Sequence, residues 1–156
     1  ILYTVNTINL NIVHFIEKQN SATICCTGNT GNPYCFICYY AMNLKDGLLY
    51  FKSSVEAYHS ILLKENPVIA GTILPDSLNK LKIKGVQLTG ELLNNQDVLM
   101  KDAYILYHRK HPIALAIKGE VFTIRLDSIK MTDSTKVFGK KIFWNRTVIV
   151  AANTSN

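Results

Sequence analysis

Two long stretches of this chain alternate apolar and polar residues, and in both the alternation changes phase. Leu81 and Ile83 are odd-numbered, whereas Val86 and Leu88 are even-numbered. Further on, Phe122, Ile124 and Leu126 give way to Ile129 and Met131. Neighbouring residues of a strand face opposite sides, so a slip of one residue turns the later side chains over unless an extra residue is bulged out. The slips predict bent strands in a curled sheet. In KGVQLTGEL, residues 84–92, Gly85 sits at the slip and offers a place for close backbone approach or for a ligand lying flat on the sheet.

The remaining pattern predicts an antiparallel scaffold. Ile8, Ile12, Phe15 and Ile16 recur at helical spacing and predict an amphipathic helix over 7–19. Residues 22–27, 34–42 and 48–52 are β-rich and separated by the turn signals GNTGNP and Lys45-Asp46-Gly47, which predicts a three-stranded meander. Ser53 with Glu56 three residues on has the form of a capping box and predicts a helix from 53 to 65, stopped by Asn66-Pro67. Strands are expected over 68–74, 80–93, 120–131 and 141–150. A further helix is expected over 97–110, with Leu99, Ala103 and Leu106 on one face and a break at His111-Pro112. The expectation is a mainly β chain: a six- to seven-stranded antiparallel barrel, closed or partly closed, with flanking helices, as one domain over 1–156.

Composition narrows the function classes. With 48% hydrophobic and 18% charged residues, the 156 residues suffice for a full core, and a buried dimer face would account for the apolar excess. No apolar run has the length of a membrane span, and the opening ILYTVNTINLN lacks the form of a signal peptide. A cytoplasmic protein without a membrane partner is expected. The net charge of +6 permits an anionic ligand, but the Lys and Arg residues are scattered and form no nucleic-acid motif. The four cysteines, Cys25, Cys26, Cys35 and Cys38, read as small apolar side chains in a reducing compartment. Cys35 and Cys38 have a metal-like spacing, but on a strand they face opposite sides and no second pair follows, so no metal is expected. His108 and His111 lack a third ligand and read as residues of an exposed helix end. No Ser-His-Asp order or carboxylate pair supports a hydrolase.

Four passages carry a resemblance: GNTGNPYCFICYY (28–40), GLLYFKSSVEAYHSILLKENPVIAGT (47–72), KGVQLTGEL (84–92) and TIRLDSIKMTDSTKVFGKKIFW (123–144). Together they resemble the flavin-binding split-barrel superfamily that contains pyridoxamine 5'-phosphate oxidase. The last two resemble a bacterial branch of it with a GVQxxGE strand and an FGKKxxW tail. The resemblance implies a homodimer of split barrels with FMN at the subunit interfaces, in a flavin-dependent oxidoreductase whose substrate the motifs do not give. One departure bears on the cofactor. Where the oxidase carries Ser-Arg-Lys for the FMN phosphate, this chain has Ala57, Tyr58 and His59. The place of the oxidase's flavin-contacting Gln is Gly85, with Gln87 two residues on. The missing cations favour an alternative, a non-catalytic protein that holds or senses a flavin or haem. A third reading is an interaction module with a vestigial cleft and no cofactor.

The candidate residues follow from these readings. Lys52, Ser53 and Ser54 stand at the start of the expected helix, where free N–H groups and the helix dipole favour an anion. Tyr58 and His59 follow on that helix, and His59 is a partial cation near neutral pH. Ile37, Cys38 and Tyr39 form a flat apolar floor for an isoalloxazine ring. Gln87 points away from the presumed core, free to donate and accept across a ligand or an interface. Lys140 shares a strand face with Trp144, which is either a packed anchor or a ring that stacks on the flavin.

Overall fold

The meander forms as expected, and the rest of the sheet grows from it. In the computed structural model, which describes residues 5–94, 96–135 and 140–147, the elements in chain order are α1 (Leu10–Lys18), β1 (Ser21–Cys26), β2 (Tyr34–Asn43), β3 (Leu48–Ser53), α2 (Tyr58–Glu65), β4 (Val68–Ile73), β5 (Lys84–Leu92), α3 (Ala103–Lys110), β6 (Glu120–Asp133) and β7 (Lys140–Asn145). Short 3-10 turns occupy Val98–Met100 and Pro112–Ala116. The strand order is β3-β2-β1-β4-β5-β6-β7, all antiparallel, and β3 also pairs with β6. Six strands thus close into a split barrel, and β7 extends the sheet beyond β6.

Alternation sorts the side chains. Ile24, Phe36, Tyr40, Phe51, Leu88 and Ile124 fill the barrel. Helix α1 plugs one end: Asn9 caps it by accepting from the Asn11 amide, and Ile12, Phe15 and Ile16 are buried. The buried Tyr40 hydroxyl donates to the Ile16 carbonyl at 2.6 Å, which ties the plug to β2. On the outside of the barrel, α3 lays Ala103 and Tyr107 over Ala41, Leu48 and Tyr50.

The two phase slips have different causes. In β6 the slip is a real bulge: Thr89 pairs with Ser128 and Gly90 with Leu126, so Asp127 is the extra residue. A Cβ at Gly90 would strike the Arg125 carbonyl, so the bend needs glycine there. In the first stretch there is no bulge. Gly85 pairs regularly with Thr132, the strand starts only at Lys84, and Leu81 and Ile83 lie exposed in the preceding loop. Gly85 does meet a close neighbour, since a Cβ there would lie 3.1 Å from the Ile73 carbonyl.

The second helix also starts later than its capping pattern predicts. Ser53 remains in β3, paired with Glu120, and the helix begins at Tyr58 with Ala57 as an N-cap that makes no side-chain bond. The chain between is a tight turn on Ser54, whose carbonyl accepts from the Ala57 amide and the Ser60 hydroxyl and whose Oγ accepts from the Glu56 amide. Pairing with β6 outcompetes the local cap. The helix expected over 97–110 is split into the 3-10 turn and α3. The last strand ends at Asn145, and the part expected at 148–150 lies outside the described residues. No helix among the described residues is long and apolar enough to cross a membrane.

Candidate functional site

Strand β2 is the floor of the site because its two faces have different fates. Phe36 and Tyr40 point into the barrel, whereas Ile37 and Tyr39 point outward and are exposed. On β3, Leu48 and Tyr50 point outward under α3, and Lys52 lies just past that cover. The strip left uncovered, walled by α3 and the Pro112–Ala116 turn, is a cavity of about 660 Å³. Ile37, Cys38 and Tyr39 line one side, Lys52, Ser53 and Ser54 the end, and Tyr107, His111, Ile113 and Ile117 the other side.

Three lysines, Lys52, Lys110 and Lys118, line this cavity with His111, and no Asp or Glu does. None of the three is in an ion pair among the described residues. Lys52 is held in place. Its ammonium donates to the Ala114 carbonyl at 2.7 Å and meets His108 Nε2 at 3.2 Å. His108 Nδ1 lies 2.9 Å from the Tyr104 carbonyl, which only accepts, so Nδ1 carries the proton and Nε2 accepts from Lys52. An ammonium has three donors, so one N–H of Lys52 is left for a ligand. Lys110 donates to the Gln19 carbonyl at 2.6 Å and sits over the Tyr40 ring, and burial lowers its pKa. His111 Nε2 donates to the Tyr40 carbonyl at 2.7 Å, which leaves Nδ1 with a lone pair and no partner among the described residues. Cys38 shares the inward face of β2 with Phe36 and Tyr40 and packs against the barrel core, where burial pushes its thiol up to about 12.

Six of the eleven sequence-predicted residues therefore meet at one cavity: Ile37, Cys38, Tyr39, Lys52, Ser53 and Ser54. The others lie elsewhere. His59 stacks on Phe36 with ring centres 3.9 Å apart, its Nε2 lies 2.7 Å from Ser53 Oγ, and burial lowers its pKa. It reaches the cavity only through Ser53. Tyr58 is exposed and edge-on to Tyr34. Gln87 is exposed on the outer face in a cross-strand row with Ile37, Thr23 and Thr72, three strands from β2. Trp144 is buried in the barrel core, and its indole N–H donates to the Asn6 carbonyl at 2.9 Å. Lys140 stands opposite Asp133 at the far end of β7.

Sequence reasoning missed Tyr107, Lys110, His111 and Lys118. It read His108 and His111 as an exposed helix end, whereas His108 is buried and His111 reaches the Tyr40 carbonyl. A possible signal was local: HRKH followed by Pro112 puts several donors at a helix end that must turn.

No protein-family model matches the chain. Solved structures share its fold. A heme binding protein from Mycobacterium smegmatis has a TM-score of 0.69 at 16% identity, over 84% of this chain and 55% of that one. A FAD-binding protein from Mesorhizobium loti has a TM-score of 0.64 at 16% identity, over 83% of this chain and 98% of that one. A protein from Clostridium acetobutylicum, described as of the pyridoxinephosphate oxidase family, has a TM-score of 0.60 at 13% identity, over 87% of this chain and 92% of that one. At these identities the likeness is one of fold. Sequence relatives are nearer. With 33% identity over 139 residues to a UPF0306 protein of Photorhabdus laumondii, spanning 88% of this chain and 96% of the relative, this chain belongs to the UPF0306 family.

Proposed function

We propose that the cavity between β2, the end of β3 and the Pro112–Ala116 turn binds a flat anionic cofactor, FMN in the first reading, and that the protein is a flavin-dependent oxidoreductase. The observation that carries this reading is the charge of the lining: three lysines and no carboxylate among residues that are otherwise apolar, aromatic, hydroxyl-bearing or imidazole. Its volume of about 660 Å³ is that of a cofactor site. The residues fit the group. Ile37, Tyr39 and Ile113 offer apolar surface to a ring, and Lys52, Lys118 and the Ser53 and Ser54 segment offer donors to a phosphate. A bound flavin supplies the electron transfer, and the protein's part is to orient it and exclude water.

The cavity is open where Ile37 and Ile113, 82% and 83% exposed, stand at its mouth. A second copy of the chain is proposed to cover Ile37 and Ile113, giving a homodimer. Sedimentation at micromolar concentration tests this, and a stable monomer would exclude it.

One observation favours a second reading, haem. His111 lines the cavity and gives its Nε2–H to a carbonyl, the bond that orients a metal-ligating imidazole. Titrating the protein with FMN and with haem separates the two readings. Tight FMN binding that is stronger than riboflavin binding supports the first. Haem binding that is lost in His111→Ala, without FMN binding, supports the second. Binding of neither sinks both.

A further inference from the structure

Cys25 and Cys35 face each other directly across β1 and β2. Their pairing type follows from the ladder. The Tyr40 amide donates to the Asn20 carbonyl, so that pair is hydrogen-bonded. Types alternate along an antiparallel ladder, and the register runs from there through Ala22↔Cys38 and Ile24↔Phe36. Cys25↔Cys35 is therefore a non-hydrogen-bonded pair, the kind in which side chains come closest, with Cα atoms about 4.5 Å apart. That lies at the lower end of the Cα separation a disulfide accepts, about 4.4–6.8 Å. Both thiols lie on the outer face: Cys35 is exposed and Cys25 partly so, whereas Cys26 is buried. Burial and the neighbouring Cys35 raise the Cys25 pKa. Cys35, the more accessible of the two, is the side chain an external reagent meets first.

We propose that Cys25 and Cys35 form a reversible thiol–disulfide site that exchanges with small-molecule disulfides. The Cys35 thiolate attacks one sulfur of R–S–S–R, forming a mixed disulfide and releasing the first RS⁻. The Cys25 thiolate then attacks Cys35 Sγ, closing the cross-strand bond and releasing the second RS⁻. The two cysteines are oxidised by two electrons, the small disulfide is reduced, and the two thiol protons pass to solvent. A bridge closed at the short end of the accepted range, and on an exposed face, is of the easily reduced kind. It would clamp β1 to β2 one outward row from Ile37, beside the cavity floor.

The test is to incubate the native protein with excess oxidised glutathione, count free thiols, and map peptides by mass. The expected result is a fall from four free thiols to two, loss of the mass of two hydrogens, and a Cys25–Cys35 peptide that dithiothreitol reopens. Cys25→Ser is expected to stop at a stable glutathione adduct on Cys35, and Cys35→Ser to keep all its thiols. Four unreacted thiols, a lasting adduct on wild-type Cys35, or a bridge to any other cysteine would each overturn the proposal. Because the readout is thiol state, it stands or falls separately from cofactor binding.

Discussion

Two clefts on this molecule are of similar size and differ in how their charges are paired. The cleft beside α2 and β5, about 780 Å³, is lined by Lys64, Glu91, Asp97, Glu120 and Arg125. There Arg125 is committed, at 3.1 Å from Glu91 and 3.2 Å from Asp127. The cavity on β2 has three lysines and no carboxylate. The first cleft carries charges of both signs, and its Arg125 is paired with its own Glu91. The second has lysines and no carboxylate among its lining residues, and Lys110 feels carboxylates, Asp76 and Glu17, from outside the lining. Size alone would rank the first cleft higher, and charge balance reverses the order.

The largest effect that sharpens this contrast is expected at Lys52. Lys52→Ala removes a charge-assisted donor and should weaken FMN binding about ten- to hundredfold, with a smaller loss for riboflavin. Lys118→Ala, at an exposed site, should cost about two- to fivefold and lose its effect in high salt. Both are read by fluorescence titration of FMN and riboflavin, and equal losses for the two ligands would remove the phosphate from the reading. In the other cleft, Arg125→Ala should leave FMN affinity unchanged while lowering stability by about 1 kcal/mol, as partly exposed pairs do. Denaturant melts check the second half of that statement.

Tyr58→Arg asks whether the missing cations matter where the family resemblance places them. Tyr58 is exposed and does not line the cavity, so the substitution should leave the FMN-to-riboflavin affinity ratio as it was. A rise in that ratio would move the phosphate site to the start of α2.

How much of this was legible differs by element. The meander, the barrel and the bulge of β6 could be read because alternation is a local signal and a slip of one residue is visible in it. The slip at Gly85 misled because Leu81 and Ile83 continue the apolar rhythm after the strand has ended, and sequence alone does not mark where pairing stops. The cap at Ser53 misled because pairing with Glu120, far along the chain, held it in a strand. The floor of the cavity was legible in the two-sided apolar β2. Its cationic wall was not, because Lys110, His111 and Lys118 come to the floor only when α3 folds back over the outside of the barrel.

The smallest expected effect is on pH dependence. Burial lowers the His59 pKa from 6.5, so the unfolded chain takes up the proton first as pH falls. Stability should therefore decline as pH falls from the ordinary value to the lowered one and level off below it. His59→Gln should flatten that part of the curve in thermal melts. Since His59 is neutral at pH 7 and above, it should add no pH dependence to FMN affinity between about pH 7 and 8.

The most direct measurement of the central claim is a paired titration of the wild type and Lys52→Ala with FMN and riboflavin, followed by the flavin band near about 450 nm. Saturable binding of FMN in preference to riboflavin, with the preference reduced in Lys52→Ala, is the expected result. No saturable flavin binding, or a preference for FMN that survives the loss of Lys52 unchanged, would contradict the assignment of the β2 cavity as an anionic cofactor site.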